Sequence, residues 1–177
     1  MTAMHPPRRA ALLLAAIALI ALAQTDGLPS EPRVPRAAPE QPLPFSHRQH
    51  AGVNATPCKT CHTMPDPGDF ATVPKTAVCM GCHTAIKKDS PHIAKLAALH
   101  AEEKRVPWVP VYRVPDWVSF NHKKHVSVEG VTCETCHGPV AARDVLRRER
   151  DISMAACMDC HRAKRASNQC IVCHDQR

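Results

Sequence analysis

The cysteines of this chain occur in one repeated pattern, and that pattern constrains the fold more than any other feature. The 177-residue sequence contains ten cysteines, which form five CxxC pairs, and a histidine directly follows each pair. Aromatic residues make up only 3% of the chain, so a core built from aromatic packing is not expected. Numbered along the chain, motifs 1 to 5 cover residues 58–62, 79–83, 133–137, 157–161 and 170–174.

The spacing within each motif indicates covalent haem attachment. Two thiols separated by two residues reach the two vinyl groups of one haem, and the next histidine binds the iron. Zinc sites, dithiol redox centres and disulfide frameworks also use cysteine pairs, but none of them requires a histidine after every pair. The motifs therefore predict five covalently attached haem c groups. The predicted thioether residues are Cys58, Cys61, Cys79, Cys82, Cys133, Cys136, Cys157, Cys160, Cys170 and Cys173, and the predicted proximal iron ligands are His62, His83, His137, His161 and His174.

An apolar segment near the N-terminus predicts export. Arg8 and Arg9 precede an apolar run over residues 10–23 that ends in Ala-Leu-Ala, a pattern that signal peptidase cleaves. We therefore expect a Sec-type signal peptide over residues 1–23 and a periplasmic mature protein. An uncleaved anchor is the alternative, but this run is shorter than the about 20 apolar residues that span a bilayer. Residues 24–44 contain six prolines and predict a proline-rich linker.

The rest of the chain contains an internal duplication. The hexapeptide FSHRQH at residues 45–50 recurs as FNHKKH at residues 120–125, and the same offset of 75 superposes motif 1 on motif 3. Motif 4 follows motif 2 at an offset of 78. The duplication predicts a dihaem module over residues 45–88, a connector over 89–119 and a trihaem module over 120–177.

Histidines outside the motifs are candidates for the second axial position of each iron. A strong sixth ligand gives a low-spin iron that transfers electrons, whereas an open position admits a substrate. Apart from His5 in the signal peptide, six histidines remain for five irons, which favours electron transfer over catalysis. These six are His47, His50, His92, His100, His122 and His125.

The FxHxxH element ahead of a CxxCH motif resembles the class III cytochromes c and their smaller trihaem relatives. The resemblance implies a mostly irregular fold with short α-helices, in which tandem haem-binding modules surround a haem core. It also implies that the first histidine of the element binds the iron of the next motif and that the second binds a different iron. On this basis His47 and His122 are the sixth ligands at motifs 1 and 3, and His50 and His125 those at motifs 2 and 4.

The sixth ligand at motif 5 is left open between three residues. In the trihaem family the last haem takes a histidine just before the middle motif, and the matching stretch here contains Met154 instead. Methionine is also a haem ligand and raises the potential. His92 and His100 are the rivals, and both lie on a helix predicted over residues 89–105. Three prolines then predict an extended strap over residues 106–120.

The strap and the segments that follow it, FNHKKH and GVTCETCHGPV, resemble the pentahaem cytochrome subunit of the alternative complex III quinol oxidoreductases. The first hypothesis is a periplasmic pentahaem cytochrome that transfers single electrons between redox protein partners. The second is the cytochrome subunit of a membrane quinol-oxidising respiratory complex, and the third is a multihaem reductase with one open haem. Because ligands suffice for all five irons, we expect an electron-transfer protein rather than an enzyme.

The basic charge of the chain does not change this expectation. The formal net charge is +7, which in other contexts indicates nucleic acid binding. Here the predicted export excludes nucleic acid as a partner, and haem propionates offset the excess of lysine and arginine. Membrane association is possible through an uncleaved anchor but is not favoured, because the apolar run is short.

Overall fold

A short α-helix lies at every CxxCH motif in the computed structural model, which describes residues 37–174. On a helix, residues i, i+3 and i+4 share one face, so the two thiols and the imidazole of a motif point to the same side. The predicted signal peptide and most of the predicted linker lie outside the described residues. The α-helices of the described part are α1 (Cys58–Cys61), α2 (Thr76–His83), α3 (Pro91–Ala101), α4 (His122–Val126), α5 (Cys133–His137), α6 (Met154–Ala163) and α7 (Cys170–Cys173).

Irregular backbone connects these helices. A π-helical turn, Arg48–Val53, and a 3-10 turn, Val140–Ala142, are the other helical elements of the described part, which contains no β-strand. The duplicated sequence has the same order of elements in both halves: an FxHxxH turn or helix, a helix of four or five residues, and a helix of eight or ten residues. The predicted class, mostly irregular with short α-helices, is therefore confirmed.

Hydrophobic burial in the described residues is confined to one small cluster. Leu43, Leu96 and Val106 are the buried hydrophobic side chains, with 5 to 7% of each exposed, and Trp108 of the strap packs against them. Leu43 belongs to the stretch predicted as linker, so packing begins before Phe45. The backbone of Val109 also exchanges two hydrogen bonds with the side chain of Gln41, at 2.8 and 2.9 Å.

The connector contains the predicted helix, in a shorter form. Helix α3 begins after Ser90 and has Pro91 in its first turn, as expected, although the Ser90 side chain makes no capping hydrogen bond. The helix was predicted to continue to residue 105 but ends at Ala101. Glu103 adopts a left-handed backbone conformation with φ of 55°, which terminates helical hydrogen bonding. The strap over residues 106–120 contains no helix, as its prolines predicted.

Two sets of contacts join the halves of the chain. The Asp144 carboxylate accepts hydrogen bonds from Ser46 Oγ at 2.6 Å and from Arg48 Nε at 2.8 Å. Gly52 lies against the carbonyl of Ala141 so closely that a Cβ atom would come within 2.4 Å of the oxygen. The second set of contacts connects the loop after motif 1 with helix α4, and Asn121 is its centre.

Asn121 has two roles that the sequence did not predict. Its Oδ1 accepts a hydrogen bond from the Lys124 amide at 2.8 Å and so caps α4. Its Nδ2 donates to the Pro67 carbonyl at 2.9 Å and to Asp69 Oδ1 at 2.8 Å. One side chain therefore both starts α4 and holds it on the loop that follows motif 1.

Replacing Asn121 by Ala should lower the free energy of unfolding by about 3 kcal/mol, because a lost helix cap costs about 1 kcal/mol and each of the two lost hydrogen bonds to the loop costs about 1 kcal/mol. Ser153→Ala is the control, since Ser153 caps α6 through a hydrogen bond from the Ala156 amide at 3.3 Å and donates one further bond, to Asp151 Oδ2 at 3.0 Å. That control should lose about 2 kcal/mol. Urea unfolding of both variants measures the difference, and equal losses would show that the second hydrogen bond to the loop contributes nothing.

No helix within residues 37–174 has the length and apolar character needed to cross a membrane.

Candidate functional site

Phe45 positions two of the predicted sixth ligands in the first half of the chain. Its ring stacks on the His50 imidazole with centroids 4.4 Å apart, and the His47 imidazole meets it edge-on at 4.8 Å. The two imidazoles therefore both contact one aromatic ring.

Phe120 repeats this arrangement in the second half. It stacks on His125 with centroids 4.2 Å apart and meets His122 edge-on at 4.8 Å. Sequence reasoning treated the two phenylalanines only as part of the repeated context and assigned them no role at the ligands. The available signal was that the phenylalanine and both histidines of FxHxxH recur together at the offset of 75 residues.

The sixth-ligand candidates lie opposite proximal histidines in three cases. The ring centroids of His47 and His62, at motif 1, are 6.3 Å apart with planes 8° from parallel. His50 lies 6.2 Å from His83 at motif 2, with planes inclined by 59°. His125 lies 6.1 Å from His161 at motif 4, with planes inclined by 32°. These pairs are the ones implied by the resemblance to class III cytochromes.

Hydrogen bonds to backbone carbonyls orient most of these imidazoles. A carbonyl oxygen only accepts, so the ring nitrogen Nδ1 must bear the proton, and Nε2 keeps its lone pair for a metal. Six of the predicted ligands have this bond, with lengths of 2.7 to 3.1 Å. The donor and acceptor residues are His50 and Ser46, His62 and Thr72, His83 and Ile86, His122 and Asp69, His125 and Asn121, and His161 and Ser167.

His47 is held neutral by its surroundings rather than by a carbonyl. Its Nδ1 is buried and has no hydrogen-bond partner among the described residues. Burial, followed by the nearby imidazoles of His62 and His50, lowers the pKa of His47 from 6.5 to about 4. A neutral imidazole is the form that binds a metal ion.

Motif 3 has a different environment from motifs 1, 2 and 4. The His137 ring is met edge-on by Tyr112, with centroids 4.7 Å apart, and the Tyr112 hydroxyl donates to the His137 carbonyl at 3.3 Å. Burial, and then the nearby His122 and His62 imidazoles, lower the pKa of His137. His122 therefore lies near His137, as predicted, but the two rings do not form a stacked pair in the described structure.

The three candidates for motif 5 are placed differently. His100 is held in the neighbourhood of motif 2, because its Nδ1 lies 3.2 Å from the hydroxyl of Thr76 in α2. His92 is exposed on α3, the helix that packs beside α2. Met154 begins α6 and is 66% exposed. No imidazole of the described residues stacks opposite His174.

The cysteines are all available for thioether bonds. Each of the ten lies within the described residues, and none of them forms a disulfide there. Within residues 37–174, no three side chains from His, Cys, Asp and Glu converge into a cluster that could hold a metal ion.

Comparisons with known proteins follow the same division of the chain into halves. Residues 26–108 match the Class III cytochrome C family, and residues 118–175 match the family described as Cytochrome c7 and related cytochrome c. The chain is also similar to the multiheme cytochrome c subunit of the menaquinone reductase of Nitratidesulfovibrio vulgaris strain Hildenborough. The two sequences are 31% identical over an alignment 162 positions long, and the matched part is 76% of this chain and 77% of that protein. The chain belongs to the multihaem c-type cytochromes. Haem c is covalently bound in this class of cytochrome, and the CxxCH spacing agrees with that mode of attachment.

The paired imidazoles of the cytochrome fit an iron between them. Metal–imidazole bonds of about 2 Å place the centroids of two rings on opposite sides of one metal ion about 6 Å apart. The three measured separations of 6.1 to 6.3 Å agree with this value. The buried Nδ1 of His47 and the six carbonyl bonds leave Nε2 as the coordinating atom.

Acid should weaken the fold of the cytochrome through His47. As the pH falls below about 6.5, His47 of the unfolded chain takes up a proton. His47 of the folded protein stays neutral until the pH approaches its pKa of about 4. The stabilisation from neutral His47 is therefore complete above pH 6.5 and is lost progressively as the pH falls to about 4. Iron bound to His47 would also oppose protonation of the ring, because the metal ion and the proton compete for it. Urea unfolding midpoints measured across this pH range test the prediction.

Two variants separate the contribution of His47 to the pH dependence of stability from the contributions of other groups. His47→Gln should flatten the pH dependence of the unfolding midpoint, whereas His92→Gln, at an exposed position on α3, should retain it. An identical pH dependence in both variants and the parent cytochrome would contradict the role given to His47.

Proposed function

We propose that this cytochrome binds five haem c groups, one at each motif, and transfers single electrons. The observation that supports this most directly is the set of three imidazole pairs 6.1 to 6.3 Å apart, each joining a motif histidine to a histidine of FSHRQH or FNHKKH. Bound haem supplies a one-electron iron couple. An iron between two imidazoles has no free position for a substrate, so the pairs favour electron transfer over catalysis.

The distribution of apolar side chains supports haem as the core. Within the described residues, three hydrophobic side chains are buried and twelve large ones are exposed, including Phe70 at 77% and Trp117 at 73%. A soluble protein needs cover for so much apolar surface. Five porphyrin rings supply flat apolar faces of the required kind, so we assign much of this surface to haem contact.

Met154 remains our proposed sixth ligand at motif 5. Helix α6 starts with this residue, and its side chain is exposed and therefore accessible to a haem. His100 is a weaker rival, because Thr76 engages its ring near motif 2. Axial methionine raises a haem potential, so motif 5 is expected to have the highest potential of the five.

The haem count is tested by maturation in a host that attaches haem c. The intact mass should exceed that of the processed chain by five haems, and the pyridine haemochrome assay should give five haems per polypeptide. The mass also reports whether residues 1–23 are removed. Four or fewer haems in fully matured protein, or a colourless zinc-loaded product, would contradict the proposal.

We further propose a periplasmic location and function in a quinone-linked respiratory complex at the membrane. The similar protein of N. vulgaris is the cytochrome subunit of a menaquinone reductase, and the similarity extends over 76% of this chain. This favours a complex subunit over a free carrier between soluble redox proteins. The cytochrome would then exchange electrons with another subunit of the complex.

Fractionation of the native host distinguishes the two possibilities. A complex subunit should be recovered with membranes and should co-purify with quinone oxidoreductase activity after detergent extraction. A carrier should be released as a single polypeptide when the outer membrane is opened by osmotic shock. Recovery in the cytoplasm would contradict both possibilities.

A further inference from the structure

The order of the motifs in space can be traced from contacts between their helices. It begins with motifs 1 and 2, whose sixth ligands belong to one turn of the chain. Phe45 contacts both His47, opposite His62 of motif 1, and His50, opposite His83 of motif 2. The thiols of Cys61 and Cys79 also lie near each other. Motifs 1 and 2 are therefore adjacent.

Motifs 3 and 4 are adjacent for the same reason. Phe120 contacts both His122, near motif 3, and His125, opposite His161 of motif 4. The thiols of Cys136 and Cys160 also lie near each other.

The two halves meet at motifs 1 and 3. The loop after motif 1 presents its Asp69 carbonyl to His122 Nδ1 at 2.7 Å, and Asp66 Oδ1 lies 2.6 Å from Lys123 Nζ. These contacts bring helix α4, which precedes motif 3, onto motif 1. The Cys133 thiol also lies within hydrogen-bonding reach of the Cys58 thiol, and burial together with this neighbour raises the pKa of Cys133.

Motif 2 faces a different part of the chain. Its helix α2 packs against α3, and Cys79 and Met80 contact the cluster of Leu43, Leu96 and Val106. The connector helix and the start of the strap therefore cover part of motif 2.

Motif 5 lies beside motif 4. The Ser119 amide donates to the Cys173 carbonyl at 2.7 Å, which fixes α7 at the start of the FNHKKH segment. Asn168, just before motif 5, donates to the Met158 carbonyl within motif 4 at 3.1 Å. The Cys157 thiol of motif 4 also lies near the Cys173 thiol of motif 5.

We infer that the haem attachment sites are arranged in space in the order 2–1–3–4–5, so that motifs 2 and 5 are the two ends. The inference rests on the proposed attachment of haem at all five motifs. It differs from the order along the chain at one point: motif 1, not motif 2, connects the halves.

His50→Met in the matured cytochrome tests this order. Methionine in place of the predicted sixth ligand at motif 2 should raise the potential of that haem, so that it is reduced before its neighbours. The added electron then lowers the midpoint potential of each direct neighbour by charge repulsion. In the inferred order only the haem at motif 1 responds, whereas in the order along the chain the haems at motifs 1 and 3 respond equally.

The readout is NMR of the assigned haem methyl signals through a redox titration, after intact mass has established five haems. A shifted midpoint at motif 1 with an unchanged midpoint at motif 3 supports the inferred order. A shift at motif 3 equal to that at motif 1, or no shift at motif 1, overturns it. A mass that shows fewer than five haems instead refutes the proposed function, so the two failures are distinct.

Cross-linking of the unmodified cytochrome gives an answer even if the variant does not fold. A carbodiimide should join Asp66 to Lys123, which are 2.6 Å apart, as efficiently as it joins Glu102 to Lys104, which are 2.7 Å apart and similarly exposed. Peptide mass spectrometry detects both products. Formation of the control link without the Asp66–Lys123 link overturns the junction between motifs 1 and 3.

Discussion

Without haem, the chain should show no cooperative unfolding transition. Only Leu43, Leu96 and Val106 are buried hydrophobic side chains among the described residues, and no side chain there is less than 2% exposed. Chains without a sufficient core need a metal, disulfides or another added element for stability, and here the cysteines form no disulfides. A version that lacks residues 1–23 and is made in the cytoplasm should therefore contain isolated helical turns at most.

Circular dichroism during urea titration measures this directly. The haem-free chain should give a gradual change in helical signal, whereas the matured cytochrome in the same buffer should give one sigmoidal transition. A steep transition in the haem-free chain, with a slope typical of a domain of this size, would show that the polypeptide forms a core by itself.

Replacing His125 by Ala should convert one haem of the matured cytochrome from low spin to high spin. His125 lies opposite His161 with ring centroids 6.1 Å apart, and its loss opens the sixth position at motif 4. Added imidazole should restore the low-spin signal because it occupies the space left by the side chain. Low-temperature EPR and cyanide titration both report the change.

His92→Ala is the matched control for this variant. His92 is an exposed histidine on α3, outside the three imidazole pairs. The control should remain entirely low spin and should not respond to imidazole. A high-spin haem in the control, or an unchanged spectrum in His125→Ala, would mean that the sixth ligands are assigned to the wrong residues.

The sequence predicted the elements whose form depends on local spacing. CxxCH requires its three reactive side chains on one side of the backbone, and a short helix is found at each motif. The prolines of the strap excluded a helix, and the duplication indicated which histidines should have equivalent surroundings. Phe45 and Phe120 are separated by the same offset as the repeated histidines, which indicated that the two rings have equivalent neighbours.

Contacts that depend on the path of the chain could not be predicted in this way. Nothing in the residues near motif 1 indicates that Asp69 meets His122 or that Cys58 meets Cys133. The end of α3 also depends on one left-handed residue, Glu103, for which the sequence carries no marker such as glycine. Leu43 is buried within a proline-rich stretch because the strap returns to it, and this is a long-range effect.

The carbonyl bonds to Nδ1 have a consequence for how such proteins diverge. Six of the rings are oriented by a peptide oxygen, as at Thr72, Ile86 and Ser167, and every amino acid has that oxygen. Side chains at these positions are therefore free to change as long as the backbone keeps its course. Two cytochromes can hold their irons with the same precision while most of the residues that do so differ, and sequence identity then underestimates how similar their redox centres are.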